Sequence, residues 1–267
     1  MHTKTQCIPH GEMQKPESAN PALTRNLLDA SEALAEHFHS TVQHTGLDAR
    51  HDSCFGLVFY ALRALTETSV SYSHTSAVGR STLRTIVECL ITLSYLVSKD
   101  DGTLWLKYRD YGNGQTKLSL LKNLSADSVP RFIDLELLEA LANEDKWLEF
   151  HDINLGAWAE KNLRTMATEA KVKDVYDAYY DLCSGYAHSH WSAVRDAAFI
   201  TYFNPLHRFH RIPRPVNFGM RSIIDDSLVL VNGMLDELTK LYPGFTFRLK
   251  PKDETQPKGS KKKGTPT

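Results

Sequence analysis

The chain has 267 residues, 42% of them hydrophobic and 24% charged, with a formal net charge of −1. That is globular composition, and it excludes a disordered, collagen-like or uniformly basic nucleic-acid-coating chain. The charge is unevenly placed: from Arg248 to Thr267 seven basic residues stand against Asp253 and Glu254, so this short segment carries +5.

Residues 1–20 read as a flexible leader. "NPALTRNLLDASEALAEHFHSTVQHTG" predicts a first helix, with Asn20 as cap, Pro21 at the first helical position and Gly46 as the stop. Leu23, Leu27, Leu28, Leu34 and Phe38 recur along it at helical spacing. "DSCFGLVFYALRALTETSVSYSH" predicts a second helix, apolar all round and therefore buried. "SAVGRSTLRTIVECLITLSYLVSKDDG" predicts a third, ended by Asp100-Asp101-Gly102. A fourth, "TLWLKYRDYGNGQTKLSLLKNLS", is expected to kink near Gly112-Asn113-Gly114. Trp105, Tyr108 and Tyr111 recur along it as core residues. "DLELLEALANEDKWLEFHDI" is the fifth, capped by Asp134.

The stretch from Gly156 to Ile200 holds a short helix and then a long one that continues to His190 and Arg195. "FNPLHRFHRIPRPVNFG" is expected to be a loop broken by three prolines, and "FGMRSIIDDSLVLVNGMLDELTKLY" the last helix, stopped at Pro243-Gly244. "FTFRL" is the one short strand candidate. The expected fold is all-α, a single bundle of about seven or eight helices spanning residues 21–247. Residues 248–267 are expected to form a disordered basic tail.

Cys7, Cys54, Cys89 and Cys183 form no Cys-x-x-Cys pair, and three lie in apolar periodic runs where a reduced thiol behaves as a small hydrophobe. The start of the chain has no apolar core of signal-peptide length, and no run reaches the roughly 20 apolar residues of a membrane span. A soluble, cytoplasmic protein with no membrane contact is expected.

Two predicted helices carry polar groups in apolar surroundings. The third has Arg80, Arg84 and Glu88 at four-residue steps, followed by Tyr95. The long one has Tyr176, Tyr180, Ser184 and His188 at the same spacing, which puts each set on one helical face. Gly185 within this helix would let a backbone or a ligand approach closely. His188–His190 ("HSH") and "LHRFHRIPRPV" bring further histidines and arginines together. The His-x-His spacing can hold a metal, but no carboxylate or cysteine accompanies it at ligand spacing, so neither a metal nor any other cofactor is expected. Arg195, Arg208, Phe209, Arg211 and Arg214 form the candidate RNA-binding set, because arginines interleaved with an aromatic ring can neutralise and stack on a single strand. No Gly-x-Gly-x-x-Gly opening a helix, Walker lysine loop, His-Glu-x-x-His pair or nucleophile elbow is present.

The pattern Arg80-Ser81-x2-Arg84-x3-Glu88 on one helix, followed by Trp158, Leu163, Met166, Ala167, Tyr176, Tyr180, Ser184 and His188, is similar to an uncharacterised all-helical bacterial family. The resemblance runs from the second helix to His188. That family in turn resembles the HEPN superfamily, helical bundles of toxins and phage-defence systems. Active HEPN members are metal-independent ribonucleases with an arginine four to six residues before a histidine, completed across a dimer interface. In this chain those positions before His188 are Ser184, Cys183 and Leu182, so the cation would come from Arg84 or Arg80 on another helix.

The resemblance implies RNA transesterification, with His188 as general acid or base and Arg84 or Arg80 on the phosphate. Ser184 and Tyr180 would orient the reacting groups, and Glu88 would fix Arg84. It implies RNA, a second copy of the chain and a partner protein such as an antitoxin as partners. The alternative is a non-catalytic binding or scaffold module in which the same Arg, Glu, Tyr, Ser and His faces only lock the core.

Overall fold

The computed structural model describes residues 20–144, 146–204, 207–213 and 219–250. The leader and most of the basic tail lie outside them, as does Arg214. Within the described residues the protein is a helical bundle, as the apolar periodicity predicts, with one small two-stranded sheet.

Helix α1 spans Pro21–Thr41, α2 Ala49–Val70, α3 Ala77–Lys99, α4 Gly102–Leu124 and α5 Leu135–Ala142. Helix α6 spans Leu163–Glu169. A continuous helical run follows, made of α7 (Lys173–Val175), a π-helical turn (Tyr176–Tyr180) and α8 (Asp181–Ala187). Helix α9 spans Trp191–Ala198, strand β1 Phe199–Asn204, strand β2 His207–Pro213 and helix α10 Ile224–Leu241.

Local chemistry accounts for the helix starts. Asn20 accepts from the amides of Ala22 and Leu23 ahead of Pro21, and Asp48, Ser76, Asp101, Asp134 and Asn162 each accept an amide of the helix they open. Asp100 closes α3 in a left-handed conformation while its neighbour Asp101 caps α4, so two consecutive residues turn the chain between long helices.

Helix α3 is the hub. From Ile86 to Val97 nearly every side chain is buried, because α2, α6, α8 and α10 pack around it. Helix α1 lies on α2, and α4 leaves the bundle from α2 with α5 folded against it. The core runs from Leu23 to Leu249. Packing continues beyond Phe247: Leu249 is buried, its amide donates to Asn232, and the amide of Lys250 donates to Asn26. Contacts of the described residues thus extend into the segment that composition assigns to the tail.

Several expectations need correction. Helix α1 stops at Thr41, short of Gly46. Helix α4 runs unbroken through Gly112-Asn113-Gly114. Gly114 is there because the Asp152 carbonyl crosses the helix so closely that a methyl group would run into it. The fifth helix ends at Ala142 instead of continuing through Trp147. The expected loop after Phe203 forms an antiparallel ribbon in which Phe199 faces Pro213 and Ile200 faces Ile212, with a register shift at Tyr202/Phe203. β-branched and aromatic residues in "FITYF" favour strand, and Pro213 is harmless at a strand end, where it breaks no inner hydrogen bond. "FTFRL" forms no strand.

The close crossing at Gly114 makes a direct test. Gly114→Ala should destabilise the protein by about 1–3 kcal/mol through overpacking against a backbone that cannot yield. Gly112→Ala, at an open position of the same helix, should stabilise it by up to ~1 kcal/mol. Urea unfolding of the two variants beside the wild type measures both.

Candidate functional site

Arg84 and Glu88 are one turn apart on α3 and close into a two-pronged ion pair, with Nη1 3.0 Å from Oε2 and Nη2 2.9 Å from Oε1. The π-helical turn brings Tyr180 over them. Its hydroxyl accepts from Arg84 Nη2 at 3.3 Å and donates to Glu88 Oε1 at 3.4 Å, and the guanidinium carbon sits 5.4 Å from the ring centroid. Tyr176 stacks on Tyr180 with centroids 4.7 Å apart. A turn bonded i→i+5 inside an α-helix is a feature found often at functional sites.

The cluster is half sealed. The Arg84 side chain is 18% exposed and that of Glu88 33%. Arg84 Nε is buried without a partner among the described residues. Burial pushes the Glu88 carboxyl above its ordinary 4.5; Arg84, the Tyr180 hydrogen bond and the charge of His188 pull the other way. His188 is therefore within electrostatic reach of Glu88.

The expected long helix does not continue to Arg195. It ends at Ala187, with His188 as its C-cap and Ser189 left-handed at φ 53°. The His188 amide donates to the Ser184 carbonyl at 3.1 Å and the His190 amide to the Gly185 carbonyl at 2.9 Å. This is a Schellman ending with serine where glycine is usual. Chain reversal brings α9 back across Gly185, whose Cα lies under His190, Ser192 and Ala193. The close approach foreseen at this glycine is made by the chain's own next turn. His188 and His190 are both exposed, with ring centroids 6.0 Å apart and ring planes 31° from parallel.

The remaining expected residues divide. Ser184 is half-buried and supplies the carbonyl that anchors His188. Arg80 turns its guanidinium to the Arg221 carbonyl instead of joining Arg84. Arg195 is exposed on α9. Arg208, Phe209 and Arg211 lie on β2; Arg214 is outside the described residues.

The sequence offers His190 only as half of a His-x-His metal pair and does not single out Trp191, since a helix running on through both is expected. The one available signal was a Ser-His pair directly after an aromatic-rich helix, too common to act on. Among the described residues no three His, Cys, Asp or Glu side chains form a group able to hold a metal ion. Cys54, Cys89 and Cys183 are buried free thiols; burial pushes the first two up to about 12, as suits packing instead of reactivity. A surface groove of about 660 Å³ between the end of α2 and the start of α3 contains none of these residues. No described helix is long and apolar enough to cross a membrane.

A family model, that of a family of unknown function (DUF5677), matches residues 54–200, more than half of the chain, from within α2 through α9. The chain belongs to that family. No curated protein and no solved structure matches it.

Two outcomes follow from the geometry. The folded state binds the Glu88 proton more tightly than the unfolded chain does, so the linked stability is full below about 4.5 and is lost as pH rises through the raised folded value. Urea unfolding of Glu88→Gln and wild type below and above that window should show the variant gaining relative stability at the higher pH. Ser189→Gly should raise stability by about 1 kcal/mol, since glycine adopts the left-handed turn without strain; a thermal melt reads it.

Proposed function

We propose that this member of the family acts on RNA as a HEPN-like, metal-independent endoribonuclease, with His188 as a proton-transferring residue. The observation that carries the reading is the placement of His188. It stands exposed at the end of a helical run whose Tyr180 is tied to Arg84 and Glu88 of α3, within reach of the Glu88 carboxylate. Arg84, Glu88 and Tyr180 act here as positioning residues. They hold α8 against α3 and so set where His188 stands. Ser184 fixes the turn through its carbonyl. The phosphate-binding cations are Arg195 and, with Phe209 between them in sequence, Arg208 and Arg211 of β2, together with Arg214, which lies outside the described residues. Guanidinium groups suit this because they meet phosphate oxygens two at a time.

One observation favours a second reading, a non-catalytic binding or scaffold module. Both terminal nitrogens of Arg84 are already taken by Glu88 and Tyr180, as in a polar seam that fixes helix packing.

Incubation of total RNA with the full-length protein in EDTA separates the two. On the first reading the wild type cleaves, leaving 2′,3′-cyclic phosphate ends, and His188→Ala lowers the rate about 100-fold or more without loss of stability. Absence of cleavage by the wild type, with Arg84→Ala less stable by about 1–3 kcal/mol, would establish the seam and overturn the ribonuclease.

A further inference from the structure

The turn that ends α8 presents two imidazoles, and the reading above uses only one. His188 and His190 are exposed, 6.0 Å apart between ring centroids, and neither ring makes a hydrogen bond or ion pair among the described residues. His190 occupies the N-cap position of α9 without using its side chain to cap it. The residue between them holds a left-handed conformation that serine rarely adopts. Such backbone strain collects at functional sites.

The surroundings suit a single strand of RNA. Trp191 follows directly, packs in part against Phe199 with ring centroids 6.4 Å apart and is 58% exposed; the exposed part of its indole is a surface on which a base can stack. Arg195 is four residues further along α9 and therefore on the same helical face as Trp191, where its guanidinium can meet a phosphate. RNA cleavage through its own 2′-hydroxyl needs two proton transfers, on opposite sides of one phosphorus. Each transferring group has to come within about 2.6–3.2 Å of its oxygen. Two exposed rings at this separation can each meet one of those oxygens.

We propose that His190 is the second catalytic residue of the site, the general acid to His188's general base, acting on single-stranded RNA. The inference rests on the ribonuclease reading. His188, the imidazole on the Glu88 side, takes the proton of the ribose 2′-hydroxyl as the 2′-oxygen bonds to the adjacent phosphorus. The bond from phosphorus to the 5′-oxygen breaks, and that oxygen takes a proton from the His190 imidazolium. The products are a 2′,3′-cyclic phosphate and a 5′-hydroxyl end. One proton enters the pair and one leaves it, so no metal, oxidant or co-reactant takes part in the balance.

The test uses the full chain in EDTA with two substrates: a single-stranded RNA oligonucleotide of mixed sequence, and uridine 3′-(4-nitrophenyl phosphate). The nitrophenolate of the second departs without a proton and needs no general acid. His188→Ala should lose about 100-fold or more on both substrates. His190→Ala should lose as much on RNA, while its loss shrinks to a few-fold on the ester. If His190→Ala cleaves RNA at the wild-type rate, or loses both substrates alike, His190 is not the acid, although loss of activity in His188→Ala would still uphold the ribonuclease reading. If the wild type cleaves neither substrate, that reading fails and this inference with it. Thermal melts of both variants are expected to match the wild type, since both side chains are exposed.

Discussion

A carboxylate on the most buried helix of a bundle has to be neutralised where it stands, and Glu88 is that carboxylate. Helix α3 is packed by α2, α6, α8 and α10, and the Glu88 side chain is left 33% exposed. Arg84 answers from one turn away, and Tyr180 completes the arrangement from a different part of the chain. A charge of this kind is costly to bury and severe to leave unpaired. The consequence is positional: α8 can pack on α3 in the one register that delivers the Tyr180 hydroxyl. Apolar contacts around Met166, Ala167 and Cys183 tolerate small slides; the three-way hydrogen-bonded cluster does not.

Position then propagates along α8, whose Tyr186 hydroxyl also donates to Asp196 on α9. Seven residues of α-helix, Asp181–Ala187, are stiff, and their far end is tied off by the amides of His188 and His190 on the carbonyls of Ser184 and Gly185. Backbone hydrogen bonds, with the Tyr186–Asp196 bond across the turn, therefore determine where the two imidazoles begin, and their ring nitrogens are left for other partners. The contrast with other histidines of this chain is informative. His37 bonds the Tyr242 carbonyl, His51 bonds Thr41, and His74 bonds Ser222, each wholly or partly buried among packed helices. Those rings hold the fold together, whereas His188 and His190 face outward.

Much of this architecture was legible because it rests on period and on caps. Leu23, Leu27 and Leu34 mark one stripe of α1, and Asn20, Asp134 and the Asp100-Asp101 turn announce where helices begin and end. The Arg84–Glu88 pair was legible too, since a four-residue step puts both on one face. Tertiary approach was not. Nothing local tells that Gly114 exists to let the Asp152 carbonyl pass, so it read as a kink. Pro213 reads as a breaker because its harmlessness depends on which strand position it occupies, and that is set only when β1 and β2 pair.

The turn at Ser189 was the hardest feature to foresee, and the reason bears on the site. A helix normally announces a Schellman ending with glycine, the residue that takes the left-handed conformation freely. Here the glycine is Gly185, four residues too early, where it lies beneath the returning chain, and a serine carries the left-handed position instead. Local propensity thus argues for a helix running on through His190, and the tertiary return of α9 overrides it. The override is what brings the two imidazoles to a 6.0 Å separation, with their planes 31° apart. In an uninterrupted helix residues two apart point about 200° from one another, and His188 and His190 could not have served one phosphate. The same strained residue that hid the turn from the sequence is the one that makes a histidine pair out of two histidines.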